Sequence, residues 1–261
     1  MTVSSHRPGR ALPVGIAAIL FGTFALASSV VLPAQEGLPP ARKIIDRHIE
    51  AIGGRAAILA HSSMYLTGTM SIPSNGVGGT LEGFAAKPNK TLVRINVTGI
   101  GEISEAVNGD LAWSISPMTG PMLAQGKELE QKRRDADFYS ELRPADQFKS
   151  VSTVEKTTWD TRPAYKVSLV RLDGSEEIDY YDVENGFRIG REFSRDTMMG
   201  TMKVSQTTTD YKKFGNLLHA TTVKNNTLGV EQLFTIASVE YDKVDPAVFE
   251  PPAAIKALLK K

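Results

Sequence analysis

The chain has 261 residues, of which 41% are hydrophobic and 23% are charged, as is typical of a globular protein with a sizeable core. Its 30 basic and 29 acidic residues nearly cancel, and the basic residues are scattered, which argues against a nucleic-acid partner. The sequence contains no cysteine, which excludes disulfide bonds, thiolate zinc sites, cysteine nucleophiles and a lipidated cysteine.

Residues 1–34 have the pattern of an export signal. A basic start with Arg7 and Arg10 precedes an uncharged apolar run that contains a cleavage motif of the A-x-A type. We expect a signal peptide that is cleaved near Ser28 or Gln35, and a mature protein in the periplasm. Because the apolar run approaches the length of a membrane span, an uncleaved anchor in the inner membrane is the alternative.

Two segments have helical periodicity. In ARKIIDRHIEAIGG, Ile45, Ile49 and Ile52 recur at helical spacing and two glycines end the pattern. The second predicted helix is GKELEQKRRDADFYSELRP, which has apolar residues at Leu129 and Leu142 and stops before a proline. The first is therefore expected to be an amphipathic helix that packs its apolar side on another part of the protein.

The rest of the chain alternates apolar and polar residues at a period of two, with turn signals between the runs. About five strands are predicted from Ser62 to Ser116 and about six more from Phe148 to Tyr241. About eleven antiparallel strands and few helices favour one strongly curved sheet or open barrel over two domains.

One of the turns contains a pair of acids that could be mistaken for a metal site. In IDYYDVENGFRIGREF, the oxygen-bearing side chains stop after Asp182 and Glu184, whereas a calcium loop needs them at every second position over a dozen residues. The flanking residues alternate, and Gly186 supplies the positive φ that closes a hairpin. The stretch is therefore predicted to be strand, turn and strand.

No catalytic motif or metal motif stands out. The nucleophile elbow G-x-S-x-G is absent, and His48 and His61 lie thirteen residues apart instead of at the four-residue spacing that places two imidazoles on one metal. His219 lies in a strand pattern, where a half-buried, hydrogen-bonded histidine is expected. We predict a protein that is not an enzyme and has no catalytic residues, metal or cofactor.

The methionines indicate an adaptable apolar surface. Seven follow the initiator, and most are grouped near predicted strand ends; methionine is flexible and polarizable, so it suits surfaces that fit varied apolar shapes, although simple core filling is the plainer interpretation. Two helices are too few to cover one face of such a sheet. A cavity is therefore expected beneath them.

Three stretches resemble the periplasmic lipoprotein carriers of the LolA type and the related outer-membrane lipoprotein-sorting proteins. They are GTLEGFAAKPNKTLVRIN, VNGDLAWSISP and VDPAVFEPP, and they occur in the family's order behind a signal peptide and an amphipathic helix. The marks carried by these stretches are Lys87, Pro88, Asn89, Arg94, Asn108, Gly109, Trp113, Pro117, Phe249, Pro251 and Pro252. The resemblance covers most of the region from Ala41 to Pro252.

The resemblance implies a mainly β fold with few helices: an open antiparallel half-barrel with a helical lid over a cavity that holds acyl chains. We assign this domain to residues 35–252, and expect a short turn and a mobile basic tail over residues 253–261. The partners implied are lipid or lipoprotein acyl chains, and affinity should follow chain length more than headgroup. The residues predicted to line the cavity are Trp113, Met64, Met118, Met122, Met199 and Met202. A second hypothesis is a non-catalytic subunit that docks on a membrane protein of the cell envelope and holds no ligand.

Overall fold

Residues 37–197 and 200–260 are described by a computed structural model. The predicted signal segment, residues 1–34, lies outside this range, as do Met198 and Met199. Among the described residues, no helix is both long and apolar enough to cross a membrane.

In the described part of the chain, thirteen antiparallel strands form a single sheet, where the sequence predicts about eleven. The strands are β1 (Ser63–Ile72), β2 (Val77–Ala86), β3 (Lys90–Val97), β4 (Gly101–Asn108), β5 (Leu111–Ser116), β6 (Gly120–Leu123), β7 (Phe148–Trp159), β8 (Arg162–Arg171), β9 (Glu176–Asp182), β10 (Arg188–Thr197), β11 (Gly200–Phe214), β12 (Leu217–Thr227) and β13 (Val230–Tyr241). The helices are α1 (Ala41–Ala51), α2 (Arg55–Leu59), α3 (Gly126–Asp135) and α4 (Ala253–Leu258). The mainly β fold class with few helices is confirmed.

The strand order explains how one sheet forms from two meanders. Strands β1 to β6 follow one another in space, as do β7 to β13, and the two sets join where β1 pairs with β13. The sheet ends at β6 and β7, so it is open and not a closed barrel. These two edge strands are consecutive in the sequence, and the chain between them, residues 124–147, must cross from one edge of the sheet to the other.

The pairing register assigns each side chain to one of two faces. Met64 lies opposite Ala85, Ala85 opposite Thr91, and Thr91 opposite Val107. Because directly opposite residues point to the same side of a sheet, these four define one face, which we call the inner face. Ala112 lies opposite Val107 and shares this face.

Helix α1 packs on the inner face at the β7 to β9 end, as its periodicity predicts. Ile45 and Ile49 are 0% and 2% exposed, and they belong to an apolar cluster that includes Val167 and Leu169 of β8. The predicted glycine stop is also present, since Gly53 and Gly54 have positive φ after the helix. Burying such side chains stabilises the fold by about 1.5–3 kcal/mol each.

The segment that crosses between the sheet edges, residues 124–147, is only partly helical, whereas the sequence predicts one helix over residues 126–144. Helix α3 ends at Asp135, and a short 3-10 helix follows at Ser140–Leu142. The buried side chain of Gln131 donates to the Ser194 carbonyl and accepts from the Asp196 amide, both at 2.6 Å. Lys132 forms an ion pair of 2.7 Å with Glu105 of β4. We call residues 124–147 the crossing segment.

The C-terminal residues pack on the opposite, outer face of the sheet. Ile255 of α4 is 0% exposed and lies in an apolar cluster with Phe249 and Trp113. The sequence predicts a short turn and a mobile tail after residue 252, but the tail contains a helix whose isoleucine anchors it. Trp113 lies opposite Ala106 and next to the inner-face residue Ala112, so its ring points outward.

The acidic turn is a hairpin, as predicted. Strands β9 and β10 pair antiparallel, and Gly186 has φ of 79° between them. The carboxylate of Asp182 accepts from the Glu184 and Asn185 amides at 2.8 and 3.0 Å. Arg47 of α1 donates to the Val183 carbonyl at 2.8 Å, so the turn also fastens α1 to the sheet.

A network of ion pairs is buried beside this hairpin. Glu177 and Asp179 alternate along β9 and point inward, where Arg143 of the crossing segment lies 3.1 Å from Asp179 and 3.4 Å from Glu177. Arg191 pairs with the same two carboxylates at 2.7 and 3.2 Å, and Arg171 pairs with Glu177. Although burial alone would raise the pKa of Asp179, the charges of Arg143, Arg188 and Arg191 lower it to about 2.

We expect Gly186→Val to destabilise the protein by at least about 1 kcal/mol, because a β-branched residue is strained at positive φ. A Cβ at this position would also lie 3.0 Å from the Arg47 side chain. Gly174→Val is the matched control, since Gly174 has φ of 86° and open space around it. Urea unfolding of both variants should show the larger loss at Gly186. An equal loss would mean that the Arg47 contact contributes nothing.

We expect Asp179→Asn to lower the free energy of unfolding at pH 7 by about 3 kcal/mol, because it leaves buried arginines with too few carboxylates. The depressed pKa of Asp179 stabilises the wild type fully above the unfolded-state value of about 3.9, and this contribution is lost as pH falls towards 2. The difference in free energy of unfolding between wild type and variant, measured in urea, should therefore disappear between pH 4 and pH 2. Asp110→Asn, which breaks the exposed Arg133 pair, should cost less than about 1 kcal/mol. A gap that does not depend on pH would contradict this account.

Candidate functional site

A cavity of about 380 Å³ lies between the inner face and the helical segments that cover it. Its floor comes from strands β1 to β3 and β10 to β13, and its roof from α1, α2 and the crossing segment. Ile52, Ile58, Leu217, Leu218 and Val223 supply much of an apolar wall. We call this space the main cavity.

The apolar wall follows from register and from small side chains. Ala85 and Ala220 line the cavity and leave room above the sheet, while Met64 lies opposite both Ala85 and Tyr241. Ala136 of the crossing segment is 3% exposed and packs on Val107 and Ala112 beyond the cavity. The helical cover is thus attached to the sheet on both sides of the main cavity, and the short side chains that line the cavity do not fill it.

The predicted lining residues are spread over different parts of the molecule. Met64 lines the main cavity, whereas Trp113 is buried on the outer face. Met122 and Met202 lie opposite Ser114 and Arg195 on the inner face, both outside the wall of the main cavity. Met118 is 78% exposed in the turn between β5 and β6, and Met199 lies outside the described residues.

Polar groups that the sequence does not bring together also meet at the main cavity. His48, His61 and His219 all line it, although they come from α1, from the loop before β1 and from β12. His48 Nδ1 accepts from the Arg188 amide at 3.1 Å, so its Nε2 carries the proton and faces Glu141 at 3.5 Å. This histidine joins α1, the crossing segment and β10 at one point.

His61 is held on both sides of its ring. Nδ1 lies 2.7 Å from Asp242 and Nε2 lies 2.7 Å from Asn216, and the ring stacks on Tyr241 at 4.0 Å. Burial lowers the pKa of His61, but the two hydrogen bonds outweigh it and raise the pKa above its ordinary value. The bond from His61 holds the pKa of Asp242 well below its usual range.

His219 is half-buried and hydrogen-bonded, as its strand pattern predicts. Its Nε2 contacts the Tyr241 hydroxyl. Burial lowers the pKa of His219 and raises the pKa of Tyr241 to about 12. Each of the three histidines therefore has a protein partner. Their convergence could not be read from the sequence, because the partners lie 22 to 181 residues away.

Comparisons with solved structures identify the fold. A DUF1329 family protein from Desulfovibrio piger is 10% identical, with a TM-score of 0.58 over 82% of this chain and 98% of that one. A LolA superfamily protein from Nitrosomonas europaea is 12% identical, with a TM-score of 0.54 over 82% and 99%. A domain described as an outer-membrane lipoprotein-sorting protein from Vibrio parahaemolyticus is 11% identical, with a TM-score of 0.52 over 85% and 98%. No family model and no curated protein sequence matches the chain. At these identities the comparisons concern the fold alone, and the fold of this chain is the LolA-like fold that its sequence predicts.

Proposed function

We propose that the chain binds the acyl chains of a lipid or of a lipidated protein in the main cavity and carries them through the periplasm. The observation that carries this proposal is the cavity itself, which lies between the inner face and the crossing segment. Its volume of about 380 Å³ falls within the usual range of ligand pockets, about 300–1,000 Å³. The fold shared with a lipoprotein-sorting domain supports the same function.

The chemistry of the wall favours an apolar ligand and binding without catalysis. The wall combines aliphatic side chains with histidines that are already bonded to Asp242, Asn216, Tyr241 and the Arg188 amide. A general base has to reach the substrate with a free nitrogen, and protein groups face both ring nitrogens of His48 and His61 and the Nε2 of His219. Removing methylene groups from water supplies the binding energy instead.

A second function remains as the alternative outcome. The same open sheet could dock on a membrane protein of the cell envelope and hold no ligand. The possible N-terminal anchor favours this alternative, since an anchored protein cannot carry cargo between membranes. Measurements of acyl binding and of location separate the two functions.

Affinity should rise with acyl chain length until the main cavity is full. Each buried methylene contributes about 0.8 kcal/mol, which corresponds to about a fourfold gain in affinity. The measurement is a titration of delipidated protein with fatty acids and lipopeptides of increasing chain length. A flat response across the series, with no lipid in the purified protein by mass spectrometry, would leave the docking subunit.

Variants of the wall test whether the binding occurs in this cavity. Met64→Asp should weaken binding at all chain lengths, because it adds a charge to an apolar wall, whereas Met118→Asp in the exposed turn should not. Ala220→Phe should lower the longest chain accommodated, and Ala254→Phe on the exposed side of α4 is its control. A chain-length limit that Ala220→Phe leaves unchanged would place the ligand elsewhere. Melting temperatures establish that each variant folds.

Location gives an independent test. We expect the mature chain to begin near Ser28 or Gln35 and to be found in the soluble envelope fraction, because the sequence has no lipidation cysteine and no later apolar span. N-terminal sequencing and fractionation measure both properties. An intact Met1 end in washed membranes would instead establish an anchor and favour docking.

A further inference from the structure

A second cavity, of about 250 Å³, adjoins the main cavity under the crossing segment. Five residues line both spaces: Asp135, Ser140, Glu141, Arg188 and Gln206. A ligand could therefore occupy both cavities at once. We call this second space the arginine cavity, because of the composition of its wall.

Six arginines line the arginine cavity. Three come from the crossing segment and the end of β8, and three from β10, where Arg191 and Arg195 alternate along the inner face. The full set is Arg134, Arg143, Arg171, Arg188, Arg191 and Arg195. Guanidinium groups are planar, permanently charged and poorly hydrated, so they bind carboxylate and phosphate oxygens in pairs.

The buried part of this wall carries more positive than negative charge. Four of the arginines have side chains that are 4–21% exposed, and their ion-pair partners are three carboxylates, Glu141, Glu177 and Asp179. Burial and the neighbouring charge of Arg143 lower the pKa of Arg191, as expected where like charges are crowded. An uncompensated buried charge is costly, and an anion in the cavity would offset that cost.

Several guanidinium nitrogens have no partner. Among the described residues, the Nε atoms of Arg134, Arg143 and Arg188 are buried without a hydrogen bond, as is the Oε2 atom of Glu141. Buried donors without a hydrogen-bond partner are rare in proteins. Arg195 is exposed, has no carboxylate partner among the described residues, and its guanidinium lies 6.0 Å from the centre of the Phe193 ring.

The carboxylates that line the arginine cavity are fewer than its arginines. Glu177 is already shared by three arginines, and Glu176 is exposed and accepts from the Ser168 hydroxyl. Asp135 lines both cavities and is a fourth carboxylate of the wall, against six arginines. Glu141 is the remaining carboxylate, and it lies at the boundary between the cavities.

We propose that the arginine cavity binds the anionic headgroup, a carboxylate or a phosphate, of an amphiphile whose acyl chain fills the main cavity. This inference rests on the proposed function and names the class of its ligand. It changes the expectation that headgroups matter little, because the six arginines adjoin the acyl site. A neutral headgroup would leave the positive charge of the wall uncompensated, and a cationic headgroup would be repelled by it.

The test compares ligands that share one chain and differ in the headgroup. Delipidated protein is titrated with hexadecyl phosphate, hexadecanoate, hexadecanol and inorganic phosphate, each below its micelle-forming concentration. Because charge-assisted hydrogen bonds contribute about 1.5–3 kcal/mol, we expect the two acids to bind at least about tenfold more tightly than hexadecanol. Inorganic phosphate should bind far more weakly than hexadecyl phosphate, since it lacks the chain.

Arginine variants locate the headgroup. Arg195→Gln, and the double variant Arg134→Gln with Arg195→Gln, should reduce the preference for hexadecyl phosphate over hexadecanol by about threefold to tenfold. Their affinity for hexadecanol should not change. Arg133→Gln is the matched control, because Arg133 neighbours Arg134 on α3 but lines neither cavity and pairs with exposed Asp110.

The outcomes separate this inference from the function on which it rests. If hexadecanol and the acids bind equally, the headgroup inference is overturned and the acyl carrier stands. A preference for acids that survives in the double variant also overturns it, because the headgroup would then lie elsewhere. Tight binding of inorganic phosphate would show a site for a free anion instead of an amphiphile. If no long-chain ligand binds, both the inference and the proposed function fail.

Discussion

The path of the chain between the two edges of the sheet is the constraint on which the cavity depends. Strands β6 and β7 are neighbours in the sequence but lie at opposite ends of a thirteen-stranded sheet. The crossing segment must therefore pass over one face, and it is fastened at both sides: Lys132 pairs with Glu105 of β4, and Gln131 bonds to the β10 backbone. A segment that is attached at both sides covers the inner face without filling the main cavity beneath it.

The two helical coverings of the inner face differ in what they bury. Helix α1 inserts Ile45 and Ile49 into the apolar cluster on β8 and closes that end of the sheet as an ordinary core. Helix α3 is mostly charged, and Gln131 is its buried residue, so it bridges by polar contacts instead of packing. The difference leaves a solid core at one end of the inner face and an open space beside it. An apolar ligand can enter such a space at little cost in packing.

Local patterns predicted the fold class and several elements of the fold but not the site. The isoleucine spacing of α1 and the glycine of the β9–β10 turn act over a few residues, so both were predicted correctly. The face that Trp113 occupies depends on which side of the sheet receives Phe249 and Ile255, a packing choice made more than 130 residues later. The inward-pointing acids of β9 alternate at a period of two in the sequence. Their ion-pair partner Arg143, however, lies 36 residues before Asp179, too far away for a local pattern to reveal it.

Glu141 connects the fold of the crossing segment to the chemistry of the two cavities. One carboxylate oxygen accepts from Arg188 at 2.6 Å and the other faces His48, and these charges hold the pKa of Glu141 well below its usual range despite burial. Glu141 also lines both cavities. An anionic headgroup that reached Arg188 would compete with Glu141 for the same guanidinium. In the proposed complex, binding would therefore weaken the ion pair between Glu141 and Arg188, which holds the crossing segment to α1 and β10. The ligand would thus compete for an interaction that also keeps the cover of the main cavity in place.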